Sequence, residues 1–169
     1  IWKKKTIVII SSNRAEYGIL KPLINCFVNS RKYSLKLMVS GSHVSKTFGE
    51  TYKEIERDGY KINSKIDCLI DNDTPASVLK SMSILSFTLA DRLESINPDA
   101  AILLGDRFET HAAASSLAIL NIPIIHIQGG EVTLGAIDDK LRHSITKLSY
   151  LHFTFTEEYK RRVIQMGEA

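Results

Sequence analysis

Cysteine is scarce in this sequence: two occur in 169 residues, Cys26 and Cys68, with no CxxC and no metal-ligand spacing. That excludes a disulfide-stapled scaffold and a zinc module. Cys26 falls inside an apolar helical pattern, so a buried, reduced thiol and a cytoplasmic setting are expected. Long apolar runs are lacking too, and no signal-peptide pattern opens the chain, so no membrane partner is expected. Neither sign of charge dominates: 22 Lys and Arg face 19 Asp and Glu, a net charge of +3. The short runs at residues 3–5 and 160–162 fall far short of a nucleic-acid-binding stripe, so no nucleic acid is expected. Repeats, linkers and low-complexity segments are absent, and no His, Asp or Glu pair has a spacing that suggests a metal. No cofactor is implied. The first residue is Ile1 rather than Met, so the native start is expected to be absent or altered.

What is present is the ordinary balance of a globular protein, with 44% hydrophobic and 24% charged residues. Strand and helix patterns alternate along its length. Residues 5–11 form a continuous β-branched run, which predicts a buried parallel strand. In residues 17–30, Ile19, Leu20, Leu23, Ile24, Phe27 and Val28 are spaced as one helix face. A strand over 35–40 and a polar helix over 45–58 follow, with Gly59 as a stop signal. Residues 60–70 read as one strand and a loop. Thr74-Pro75 opens a helix whose buried stripe is Val78, Met82, Leu85, Leu89, Leu93 and Ile96, and Asn97-Pro98 ends it. Strands are predicted at 100–104, 122–127 and 152–155, and helices at 109–120, 138–149 and from 157. The pattern predicts one α/β domain over residues 1–169, a doubly wound, mostly parallel, Rossmann-like sheet. In such sheets ligands lie outside the strand carboxyl ends.

The loops at those ends hold the unusual chemistry. Ser12-Asn13-Arg14-Ala15-Glu16-Tyr17-Gly18 puts Arg14 at a helix N-terminus, where a cation beside free N–H groups suits a phosphate. A simple ion pair with Glu16 or another neighbour is the alternative. Gly105-Asp106-Arg107-Phe108-Glu109 delivers a carboxylate and a guanidinium from an apolar strand, a costly arrangement without a partner or a task. Alternatively Asp106 caps the next helix. In His126-Ile127-Gln128-Gly129-Gly130-Glu131, strand alternation puts His126 and Gln128 on one side, and a satisfied core histidine is the alternative for His126. Asp138 or Asp139 can cap the following helix, and Asp139 and His143, four apart, can face each other. His43, in Gly41-Ser42-His43, lies in the loop after the second strand and is placed to reach the same crevice. His111 and His152 read as structural. A dehydrogenase is disfavoured, because the first turn lacks the glycine fingerprint and the second strand does not end in an acidic residue.

These motifs, together with Ile137-Asp138-Asp139 and Arg142-His143-Ser144-Ile145-Thr146-Lys147, resemble the hydrolysing UDP-N-acetylglucosamine 2-epimerases. That family includes the bacterial sialic-acid and legionaminic-acid pathway enzymes. The resemblance covers essentially the whole chain, with the motifs in order and at similar spacing. It implies the first half of a two-domain enzyme of glycosyltransferase-B arrangement, with a UDP-binding C-terminal domain expected beyond this chain. It also implies a UDP-sugar substrate and a homo-oligomeric full-length enzyme. Such an enzyme eliminates UDP and hydrates the resulting glycal to N-acetylmannosamine. Asp106, Glu131, Asp138 and the Gln128 position are the implied catalytic group. Arg14, Ala15, Gly18 and Arg107, with His43 and His143, are the implied substrate and UDP contacts. At Gln128 the family commonly has a glutamate, and an amide has no exchangeable acid proton at neutral pH. Either Glu131 or Asp138 takes that role, or the chain is an engineered or impaired variant. A non-hydrolysing 2-epimerase and a nucleotide-sugar-binding module without turnover are the rival readings.

Overall fold

The β-branched runs become six strands and the 3.6-residue patterns become the helices around them. The computed structural model describes residues 3–70, 72 and 74–169. In chain order the elements are β1 (Lys5–Ser11), α1 (Arg14–Val28), β2 (Tyr33–Ser40), a short 3-10 turn (Gly41–His43), α2 (Tyr52–Arg57) and β3 (Ile62–Ile66). They continue with α3 (Pro75–Ile96), β4 (Ala100–Leu104), α4 (Phe108–Ile119), β5 (Ile124–Ile127), α5 (Ile137–Leu148), β6 (Leu151–Phe153) and α6 (Glu157–Gln165). The strands form one sheet in the order β3-β2-β1-β4-β5-β6, and every pairing is parallel. Ile9 sits at its centre, in register with Leu37 on β2 and Ile102 on β4.

Strand alternation divides the core into two layers. Ile7, Ile9, Leu37, Val39, Ile102 and Leu104 pack with Tyr17, Leu20 and Ile24 of α1 and Ile55 of α2. Val8, Ile10, Met38, Ala101 and Leu103 pack on the other face with Leu85, Leu89 and Leu93 of α3, the alanines of α4 and Ile145 of α5. The small residues Ala112, Ala113 and Ala114 let α4 lie close to the sheet. α3 starts where Thr74 caps the N–H of Ser77 and stops where Asn97 turns left-handed at φ 46°.

Three expectations are corrected. The helix predicted over 45–58 is confined to α2, because Gly49 (φ 82°) and Glu50 (φ 48°) adopt left-handed backbone that breaks a longer helix. On α1 the buried stripe is Tyr17, Leu20 and Ile24, while Ile19 and Val28 lie at the surface. Cys26 is exposed rather than buried. Two residues past Ile24 it lies about 200° round the helix, facing away from the sheet.

Leu89, fully buried between α3 and the sheet, should cost about 2–5 kcal/mol when truncated to Ala. Cys26→Ser, at the surface, should stay within about 0.5 kcal/mol. Urea unfolding of both variants checks the pair.

Candidate active site at the strand carboxyl ends

β1 and β4 are neighbours in the sheet, and the chain leaves them in opposite directions, toward β2 and β5. That is the topological switch point where a doubly wound sheet opens a crevice. The loops after β1, β2, β4 and β5 border it.

The centre of the β4–β5 side is Arg142 on α5, whose side chain is 4% exposed. Its Nη2 donates to Asp106 Oδ2 and to Thr133 Oγ1 at 3.1 Å, and its Nη1 lies 3.8 Å from Asp139 Oδ1. The same Asp139 oxygen accepts the Thr133 N–H at 2.9 Å, tying the loop before α5 to the helix. Burial pushes the Asp106 carboxyl above the usual carboxylate range; Arg142 opposes that, while Asp138 and Glu131 add to it. Those three carboxylates therefore share one field. Gln128 donates from Nε2 to Glu131 Oε2 at 3.1 Å. His143 approaches Asp139 at 3.7 Å.

Several alternatives fall away. The N-cap of α4 is Arg107 and carries no side-chain cap bond, so Asp106 is not a capping residue. Asp138 and Asp139 lie inside the first turn of α5, after an Ala136 cap, where negative charge suits the helix dipole. Gln128 has φ 75°, so its direction is set by a turn and not by strand alternation. His126 is a satisfied core histidine, bonding the Gly105 carbonyl at 2.8 Å and Thr146 Oγ1 at 3.2 Å. Gly130 is obligatory: at φ 82° its Cβ would collide with the Tyr159 backbone of α6.

The β1–β2 side is built round a second buried group, Glu16. Its carboxylate accepts from the Ser12 N–H at 2.6 Å, the Ser12 hydroxyl at 2.8 Å and Asn13 Nδ2 at 2.8 Å. Asn13 in return accepts the Glu16 N–H at 3.0 Å, closing a reciprocal cap on α1. Burial outweighs these bonds and pushes Glu16 up to about 7. Ser11 links the network to His43 Nε2 at 3.0 Å, and His43 Nδ1 meets Thr51 Oγ1 at 2.8 Å. His43 is fully buried, and burial lowers it to about 4. The expected ligand contact from His43 is corrected accordingly: with both ring nitrogens engaged and no exposed surface, it supports the loops instead. Arg14 is the exposed member, with 72% of its side chain open and its Nε 3.0 Å from Glu54. The partner is thus α2, not Glu16. With Gly18, Lys21 and Arg57 it lines a polar groove along α1, and Ala15 is exposed beside it.

The structure thus gathers Asp106, Gln128, Glu131 and Asp138 round the loops after β4 and β5, while Arg14 and Gly18 line the groove between α1 and α2. Arg107 lies between, in the field of Glu109, Glu16 and Asp138. The sequence reading passed over Arg142, Glu16 and Glu109 as site residues. The Asn13-x-x-Glu16 spacing was a readable capping-box signal, and Arg142 stands four residues from Asp138 and three from Asp139. Among the described residues, no cluster of three His, Cys, Asp or Glu side chains is arranged to hold a metal.

The family model described as UDP-N-acetylglucosamine 2-epimerase matches residues 27–169. The chain is 46% identical over 165 residues to a Campylobacter jejuni protein named GDP/UDP-N,N'-diacetylbacillosamine 2-epimerase (hydrolyzing), covering 98% of this chain and 43% of that protein. It is 42% identical to the Escherichia coli polysialic acid biosynthesis protein P7, covering 97% of this chain and 42% of that one. The crystal structure of UDP-GlcNAc 2-epimerase from Neisseria meningitidis bound to UDP-GlcNAc superposes with a TM-score of 0.85 at 20% identity, over 97% of this chain and 43% of that one. The chain thus spans less than half the length of these relatives.

His43 and His126 should stay neutral down to about pH 4, because burial penalises their charged forms. Unfolded imidazoles protonate near about pH 6.5. The stability these two groups confer is therefore present above about pH 6.5 and lost as pH falls toward 4. Glu16 opposes this between about pH 4.5 and 7, where it keeps its proton only when folded. Histidine ring shifts followed by NMR read the two imidazoles separately from that opposing carboxyl.

Proposed function

The chain belongs to the UDP-N-acetylglucosamine 2-epimerase family, and on that footing we propose that it is the Rossmann-like first half of a hydrolysing UDP-sugar 2-epimerase. The reaction is elimination of UDP from UDP-N-acetylglucosamine followed by hydration to N-acetylmannosamine, in sialic-acid-like biosynthesis. A base removes the C2 proton, its electron pair forms the C1–C2 double bond, and the anomeric C–O bond breaks to release UDP. Water then adds to C1 while a proton reaches C2 from the opposite face.

The observation that carries this reading is the half-buried Asp106, bonded to the buried Arg142 guanidinium, with Asp138 and Glu131 close enough to act on its charge. Two proton transfers on opposite faces need carboxyl groups of unequal proton affinity near neutrality. Burial raises the proton affinity of Asp106 above that of an open aspartate, and this reading gives it one of the two transfers. Asp138 and Glu131, its neighbours, are the candidates for the other transfer. Gln128 orients Glu131 through its amide N–H and exchanges no proton. Arg107 and Arg14, with the exposed backbone at Ala15 and Gly18, take the diphosphate as its charge develops. His143, linked to Asp139, lines the sugar end.

A second, UDP-binding domain beyond this chain completes the cleft; the relatives' greater length supports that. The full-length enzyme is a cytoplasmic homo-oligomer in this reading; the two free cysteines support the compartment alone. The Campylobacter and Escherichia names point to a nonulosonate-type pathway, with either the N-acetyl or the diacetamido sugar in the site.

The test uses the longer chain with its second domain, incubated in deuterated water with UDP-N-acetylglucosamine and, separately, its diacetamido counterpart. Free 2-epimerised sugar carrying deuterium at C2 is the expected product by NMR. A UDP-linked epimer would assign the non-hydrolysing reaction, and UDP binding without turnover of either sugar would assign a binding module. In the active protein, Asp106→Asn and Asp138→Asn should each lower kcat roughly 100- to 10,000-fold, with UDP affinity retained. Gln128→Glu should slow turnover, because it sets a second carboxylate beside Glu131. A faster Gln128→Glu enzyme would move an acid/base role to position 128.

A further inference from the structure

Glu109 is a buried carboxylate that the proposed reaction does not use. It lies on the first turn of α4, and 1% of its side chain is exposed. Its partner is Arg107, which it grips as a fork: Nε donates to Oε2 at 3.1 Å and Nη2 to Oε1 at 3.2 Å. The Arg107 side chain is 43% exposed. The Nε and Nη2 atoms of the guanidinium are thus engaged, while the side chain stays partly open and lines a small pocket with Ser45, Phe48 and Phe108.

The surroundings leave the carboxylate little freedom. Gly41, at φ 58°, closes over it from the loop after β2, and a Cβ there would lie 2.8 Å from Glu109 Oε1 and 3.0 Å from the Ser12 carbonyl. Only glycine holds that left-handed backbone cheaply while bringing it so near. The Ser12 carbonyl is itself fixed by the His43 N–H at 3.2 Å and the Ser42 hydroxyl at 3.0 Å. The loops after β1, β2 and β4 therefore converge on one buried oxygen pair.

A buried carboxylate is costly to desolvate and needs a partner. Arg107 at the protein surface is flexible unless held, and a two-point fork fixes the plane of a guanidinium as a single ion pair does not. We infer that Glu109 is a positioning residue: it holds Arg107 by its inner edge so that the outer edge meets the anionic diphosphate of the nucleotide sugar. This inference rests on the reading of Arg107 as a diphosphate contact. It makes the crevice cation preorganised, and it makes Gly41 part of the same device.

The experiment measures UDP binding by calorimetry, and kcat and KM, in the full-length protein. The variants are Glu109→Gln, Arg107→Lys, Arg107→Gln and the Arg107→Gln/Glu109→Gln double variant, each checked for folding by circular dichroism. Glu109→Gln and Arg107→Lys should both weaken UDP binding about tenfold, the loss of one charge-assisted contact's geometry. Lysine keeps the charge without the fork, so it tests the idea even where Glu109→Gln does not fold. The Glu109→Gln effect should vanish in the Arg107→Gln background. Additive losses in the double variant would show that Glu109 only supports the fold and would overturn the inference. So would wild-type binding by folded Glu109→Gln, or by Arg107→Lys, beside a defective Arg107→Gln. Wild-type binding by Arg107→Gln as well would remove the diphosphate role of Arg107 and the inference with it, while C2 deuterium exchange by the same protein would show whether the epimerase reading stands.

Discussion

Burial of charge at the open end of a parallel sheet is the constraint on which this architecture turns. Arg142 is nearly inaccessible yet carries a full charge, since a guanidinium does not deprotonate in a protein. Its position is tolerable only because Asp106, Asp139 and Thr133 surround it. Remove that guanidinium and Asp106 loses its ion pair while Asp138 and Glu131 still act on its charge. The pairing acts in both directions: the arginine justifies the carboxylates, and they justify the arginine. Buried pairs of this kind contribute little net stability against an apolar replacement. Their value lies in fixing where charges stand.

The other side of the crevice solves the same problem differently. Glu16 has no arginine of its own and is satisfied by Ser12 and Asn13, in part through the backbone that caps α1. Neutral donors compensate burial less well than a cation does, and the Glu16 proton accordingly binds more tightly, near pH 7. The consequence is geometric. Glu16 and the His43 chain tie together the loops after β1 and β2 beneath the start of α1, where Arg14 stays exposed and pairs with Glu54. The inner ring of polar groups is buried and internally bonded, and the outer ring lies at the surface.

Much of this was legible in the sequence, and the reason differs between its parts. β1 and β4 are continuous apolar runs buried on both faces, and α3 is capped by Thr74 and stopped at Asn97, so local signals and tertiary structure agree there. α2 is legible only in part, because two consecutive left-handed residues, one of them Glu50, interrupt a plausible helical stretch. Cys26 and Ile19 show the usual limit of periodicity, in which the width of a buried stripe is set by what packs on it. The strand-end loops announced themselves through Asp106, Gln128 and Glu131. Which of their polar groups turn inward did not, since the burial of His43, Glu16 and Arg142 arises from loops that meet only in the folded chain.

Gln128 brings these levels together. It leaves β5 in a left-handed conformation that strands do not use, held by its own N–H to the Phe153 carbonyl at 2.9 Å. A non-glycine residue in that region costs free energy unless its surroundings over-determine it. Here the following Gly129 and Gly130 supply the freedom, with Gly130 pressed against α6. The strained backbone aims the amide at Glu131 and sets its carbonyl oxygen over Gly105. A carboxylate at the same place would set like charges side by side, whereas an amide adds no charge and donates an N–H to Glu131. The substitution that looks like a loss from the sequence is therefore consistent, in the folded chain, with a division of labour: one residue positions, and its neighbour carries the charge.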